Sequence, residues 1–217
     1  YFWPLLNLNW YCSLFPDLED RIAGEIAPSY TGLSSEKIAS VHTASPSAKL
    51  IFFMRNPIER SWSHFMLSYI NSGRKQFNSL SSQDMIDLLD HPPSMRLSNY
   101  RLTLDLWRQY YRDDQILICF FDEIEHDPES LVRRLCEFLQ IAPNTSLFEE
   151  SSRRNIFKGV KNVMPKDVKL HLCKVFYDQL VSLEQEFGSY PAIWRQQADQ
   201  IIGGGTSPAG PLPHSEA

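Results

Sequence analysis

Apolar, β-favouring residues fill Leu50 to Met54 and stop at Arg55-Asn56, after which Pro57 opens a stretch rich in helix formers. Proline lacks an N–H and its fixed φ suits a first helical residue, so the pattern predicts a buried strand, a tight turn and a helix start. A second β-favouring run, Gln115 to Phe121, passes through an acidic turn to Asp127-Pro128. There Asp127 is a good N-cap and Pro128 a good N1 residue, and the helix that follows carries Leu131, Leu135, Phe138 and Leu139 on one face. Val168, Leu172, Phe176, Leu180, Leu183 and Phe187 recur at helical spacing, and Gly188 supplies a stop, which predicts a core-packing helix.

Between these elements, Asn71 to Ser98 is polar and is broken by Gly73 and by Pro92-Pro93, with a short helical piece around Met85 to Leu89. A long excursion between core elements often serves as a lid or binding loop. Its Arg74 and Lys75 either meet an anionic acceptor or are simply solvated. From Gly203 to Ala217, Gly and Pro dominate and little can be buried, so the end of the chain reads as a disordered tail.

At 217 residues, 43% hydrophobic and 22% charged, the chain can bury one sizeable core. Its net charge of -5 argues against a nucleic-acid partner, although total charge says little about one local basic pocket. No run approaches the roughly 18 apolar residues of a membrane-spanning helix. Cys12, Cys119, Cys136 and Cys173 show no C-x-x-C spacing and read as buried thiols, which favours a reducing cytoplasm over a disulfide-forming lumen. The six His residues form no ligand pair at helical spacing, so no metal is expected. His64 reads as a helix-surface or pocket-lining residue.

The junction at Arg55 carries the candidate chemistry. An Arg at the carboxyl end of a parallel strand offers a planar fork of donors, the next helix adds unpaired N–H groups and its positive dipole end, and Ser63 lies about two turns further on. Phosphate is the natural guest; an ion pair with Asp or Glu is the alternative use of such an Arg. The cluster from Arg153 to Asn162 holds Arg153, Arg154, Lys158 and Lys161 around Gly159, a composition suited to a loop that wraps a phosphate.

The string apolar strand, Arg55-Asn56-Pro57, Arg60, Ser63 resembles the 3′-phosphate-binding segment of sulfotransferases that use 3′-phosphoadenosine 5′-phosphosulfate (PAPS), in particular the glycan (heparan sulfate) branch and its bacterial relatives. The strand from Gln115, the Asp127-Pro128 start and the helix ending Glu137-Phe138-Leu139 resemble a second block of that family. Asn9-Trp10-Tyr11, Phe15-Pro16, the stretch from Gly24-Glu25 to Tyr30, and Tyr100 to Trp107 are similar to further family segments. Together they cover about Tyr1 to Trp194.

The resemblance implies an α/β fold, a parallel β-sheet flanked by helices of the P-loop nucleotide-kinase-like type. It implies a transferase moving a sulfuryl group from PAPS to a hydroxyl or amine of an acceptor, most often a carbohydrate, with PAP (3′-phosphoadenosine 5′-phosphate) as product and no metal. Arg55 and Ser63 match the residues that hold the 3′-phosphate, and Lys158-Gly159 resembles a late loop that closes over it. Phe121 stands where relatives place an aromatic near the nucleotide and is expected in the core. The family's phosphosulfate loop and its general base are expected upstream of Tyr1, and the 217-residue polypeptide is expected to be inactive alone; Glu25 is the carboxylate retained as a candidate base. The expected division is a sulfotransferase domain over 1–195, lacking its N-terminal strand-loop-helix, and a disordered tail over 196–217. Cytoplasm is the expected compartment, with the Golgi lumen as the alternative. Two other functions stay open: a nucleotide or small-molecule kinase of similar fold, which needs a G-x-x-x-x-G-K-[ST] loop absent from this chain, and a non-catalytic glycan-binding or interaction domain.

Overall fold

The computed structural model describes residues 13, 22–71, 79–142 and 163–204. Helix α1 spans Ser35–Ala44, and strand β1 spans Leu50–Met54. Helices α2 (Pro57–Asn71), α3 (Ser82–Leu89), α4 (Pro92–Leu97) and α5 (Tyr100–Trp107) lead to strand β2, Ile116–Phe120. Helices α6 (Phe121–His126), α7 (Pro128–Leu139), α8 (Lys166–Phe187) and α9 (Ser189–Ile202) follow.

The two strands run parallel in a register that pairs Leu50 with Ile116 and Met54 with Phe120. A parallel pair needs a long crossover, and α2 to α5 supply it. Among the described residues the fold is α/β, a parallel pair flanked by helices, as the resemblance implies. The expected full burial of β1 does not hold. Its residues alternate, with Met54 fully buried while Ile51 and Phe53 are 37% and 41% exposed, so one face of the strand enters the core. A run of apolar residues alone cannot show that alternation.

The core joins Met54 and Phe120 at the strand ends to Ile58, Trp62 and Phe65 of α2, Tyr100 and Leu104 of α5, and the stripe Val168, Leu172, Phe176, Leu180 and Leu183 of α8. That stripe is the one the helical spacing predicts, and Gly188 ends the helix at φ 56°, a conformation glycine adopts without a Cβ penalty. Asp127 caps α7 by accepting the Ser130 N–H at 3.1 Å, with Pro128 in the first turn.

Two expectations need correction. The short helix expected around Met85 to Leu89 is present as α3, capped by Ser81 through the Asp84 N–H at 3.1 Å, but Pro92-Pro93 starts a further helix, α4, rather than interrupting structure, because the first helical turn does not need proline's missing N–H. Arg74 and Lys75 lie outside the described residues. The ordered core also runs past 195. Helix α9 continues to Ile202 with Ala198 fully buried against α8, and Arg195 is ion-paired to Glu184 and Asp199.

Candidate functional site

The end of β1 is fixed from three sides. Asn56, 7% exposed, caps α2 by accepting the Ile58 N–H at 3.0 Å, and its carbonyl accepts the Arg60 N–H at 2.8 Å. Tyr100, 3% exposed at the start of α5, donates its hydroxyl to the Arg55 carbonyl at 2.8 Å and lies 3.3 Å from the Arg55 N–H. Gln179 of α8 donates to the Ser98 carbonyl at 2.8 Å and accepts the Tyr100 N–H at 3.2 Å, which holds the turn that aims the phenol. Burial pushes the Tyr100 hydroxyl up to about 12, so it is a neutral donor at any physiological pH.

Arg55 itself is half-buried. Its guanidinium lies 5.0 Å from the centre of the Phe121 ring, and among the described residues it has no carboxylate partner. Among the described residues the ion-pair use of Arg55 is not adopted. Phe121 is 40% exposed, which corrects its expected place in the core. Ser63 is exposed on α2 and its hydroxyl makes no hydrogen bond among the described residues. It stands about 9 Å along the helix axis from Pro57, at 1.5 Å per residue. The expectation of several open helix N–H groups is also revised: Pro57 has none, Asn56 covers Ile58, and the Arg60 N–H closes onto Asn56.

A polar cluster lies behind the junction. Arg60 donates to the Ser98 hydroxyl at 3.1 Å, and Ser98 and Ser61 share a hydrogen bond of 2.8 Å. No carboxylate pairs with Arg60 among the described residues, and burial lowers its pKa from the ordinary value. His64, with Ser61, Phe65, Tyr69 and Ser94, lines a cavity of about 240 Å³. Burial first, and the Arg60 charge second, lower the His64 pKa, so its imidazole is neutral at pH 7. The pocket-lining reading of His64 stands.

Glu25 sits in an exposed, irregular stretch and accepts a hydrogen bond from the Tyr30 hydroxyl. Lys158, Gly159, Arg153, Arg154 and Lys161 lie outside the described residues, as do the segments around Trp10 and Phe15. Cys119, Cys136 and Cys173 are buried free thiols, as expected. Sequence reasoning missed the Asn56 cap, although Asn before Pro at a helix start is a readable signal. It also missed Gln179 and the Tyr100 bridge to Arg55, which join residues far apart in sequence.

Comparison with known proteins gives the family and the fold. The sulfotransferase domain family matches residues 31–175, and the chain belongs to that family. Human heparan sulfate glucosamine 3-O-sulfotransferase 6 is 31% identical over 136 residues, covering 61% of this chain and 40% of the human protein. A bifunctional heparan sulfate N-deacetylase/N-sulfotransferase 1 of Caenorhabditis briggsae is 22% identical over 149 residues, covering 63% of this chain and 17% of its own length. The chain thus spans well under half the length of these relatives. The crystal structure of a sulfotransferase from Alicyclobacillus acidocaldarius shares the fold, with a TM-score of 0.62 at 20% identity over 86% of this chain and 73% of that one. Among the described residues no helix is long and apolar enough to cross a membrane.

Proposed function

We propose that the protein transfers a sulfuryl group from PAPS to a hydroxyl or amine of a carbohydrate acceptor. The observation that carries this reading is Arg55 at the carboxyl end of β1, its backbone held by Tyr100 and its guanidinium without a carboxylate partner among the described residues. A planar fork free to bind, on a held backbone, suits a phosphate dianion. Arg55 and Ser63 would hold the 3′-phosphate, the group that separates PAPS from ordinary adenine nucleotides. Lys158 and Gly159 would close over the same group. The names of the human and nematode relatives, a 3-O- and an N-sulfotransferase of heparan sulfate, support a carbohydrate as the acceptor class and admit either a hydroxyl or an amine.

Transfer of this kind draws on positioning and on charge stabilisation of an in-line displacement. Within this chain the described residues supply the donor grip. Glu25, engaged by Tyr30, is the carboxylate carried forward as a candidate base, and its test is the pH dependence of transfer in Glu25→Gln. The buried free thiols support a reducing compartment.

A donor comparison tests the proposal. Equilibrium binding of PAP and of ATP to the purified protein is expected to favour PAP. Tight ATP binding that is indifferent to a 3′-phosphate would replace this reading with a nucleotide or small-molecule kinase. Binding of neither, alongside glycan binding, would leave an interaction domain.

A further inference from the structure

The parallel register that pairs Met54 with Phe120 makes Arg55 and Phe121 the next residues after two adjacent strands. Arg55 leaves the strand for a turn, whereas Phe121 begins α6. The orientation of that first helical turn is fixed by Glu123, whose carboxylate accepts the Phe120 N–H at 2.7 Å and the Arg134 guanidinium at 2.7 and 3.1 Å. One residue on, the Asp122 carboxylate accepts the Trp194 indole N–H at 3.1 Å, and Trp194 is 1% exposed. The backbone carrying Phe121 is thus held on both sides of it, yet its ring is 40% exposed. Leaving an aromatic ring this open on a firmly held backbone forgoes part of its burial free energy. What the ring meets is the Arg55 guanidinium, 5.0 Å from its centre.

From this geometry we infer that Phe121 is a positioning residue for nucleotide selectivity: its ring is the platform that presents the Arg55 fork to the 3′-phosphate. The inference rests on the proposed role of Arg55 and extends it to a residue that need not touch the phosphate. A guanidinium lying on an aromatic face keeps its N–H edge available for a bidentate acceptor, since the ring engages the π-surface and not the donors. An arginine on a strand end without such a platform samples many rotamers, and ordering them on binding weakens affinity. Tyr100 fixes the backbone of Arg55 and Phe121 fixes its head.

The test is calorimetric affinity for PAP and for AMP, measured on wild type, Phe121→Leu, Phe121→Tyr, Arg55→Ala and the double variant Arg55→Ala/Phe121→Leu. An exposed cation–π contact predicts that Phe121→Leu lowers PAP affinity about two- to fivefold and lowers the PAP-to-AMP ratio by the same factor. Phe121→Tyr, which keeps the ring, retains the wild-type ratio. In the Arg55→Ala background, Phe121→Leu has no further effect on the ratio, because the ring acts through the guanidinium. A wild-type ratio in Phe121→Leu, while Arg55→Ala loses selectivity, overturns the platform and leaves the Arg55 reading intact. Equal losses for PAP and AMP would assign the ring to the base and also overturn it. Failure of the wild type itself to prefer PAP would remove the reading on which it stands.

Discussion

The Tyr100 hydroxyl bridges both backbone polar groups of Arg55, donating to the carbonyl at 2.8 Å and facing the N–H at 3.3 Å. The two residues are joined across the crossover, so the start of α5 holds the end of β1. Tyr100→Phe leaves buried backbone groups unpaired, at about 1–3 kcal/mol of stability, and it is predicted to weaken PAP binding more than AMP binding. Denaturant unfolding and calorimetry on the same variant check both halves.

The same phenol has a pH signature. Its folded pKa, about 12, lies above the ordinary value of 10.0, so its contribution is complete below pH 10 and is lost as pH rises toward 12. Wild type is predicted to lose stability across that window and Tyr100→Phe to lose less. Parallel pH slopes for the two proteins would contradict the burial of this hydroxyl.

Ser63 offers a cleaner separation of binding from folding. It is exposed and unbonded among the described residues, so Ser63→Ala should leave the unfolding midpoint unchanged. Loss of a hydrogen bond to a charged phosphate is worth about 1.5–3 kcal/mol, which predicts roughly a ten- to hundredfold weaker PAP complex. A variant with wild-type PAP affinity would remove Ser63 from the clamp.

His64 should titrate below its ordinary 6.5, because burial and then the Arg60 charge disfavour its cation. Neutral His64 is therefore a stabilising state above that ordinary value, and stability is predicted to fall as pH drops through its lowered pKa. NMR titration of the imidazole gives the midpoint. Arg60→Met should raise it without restoring it fully, since burial is the larger cause.

Glu123 holds the turn between β2 and α6, and its side chain is 13% exposed. Glu123→Ala strands the Phe120 N–H and takes away the carboxylate partner of Arg134, with a predicted loss of about 1–3 kcal/mol. The Arg134 Nε is already buried without a hydrogen-bond partner, and after the loss of Glu123 the guanidinium keeps only the Ile118 carbonyl at 3.3 Å and the Cys119 thiol. A Glu123→Ala protein with unaltered unfolding midpoint would show that the turn is fixed by other contacts.

What the sequence reveals here is what local chemistry encodes. The turn from β1 into α2, the Asp127-Pro128 start of α7 and the apolar stripe of α8 all follow from residues within a few positions of one another. What it hides depends on distant partners. Whether Ile51 and Phe53 are covered depends on what packs over β1. Whether Arg55 is paired depends on the absence of a nearby carboxylate, and its setting comes from Tyr100 and Phe121, far along the chain. Pro92-Pro93 misleads because proline breaks a helix interior but suits its first turn. The end of α9 was partly readable, since Trp194, Ala198 and Ile201 keep helical spacing past the expected boundary.

Recognition of a 3′-phosphate by Arg55 is read out by calorimetric binding of PAP against AMP to wild type and Arg55→Ala. Wild type is expected to show a clear preference for PAP that Arg55→Ala abolishes while AMP binding is little changed. Equal binding of both nucleotides by wild type, or a preference that survives Arg55→Ala, would contradict it.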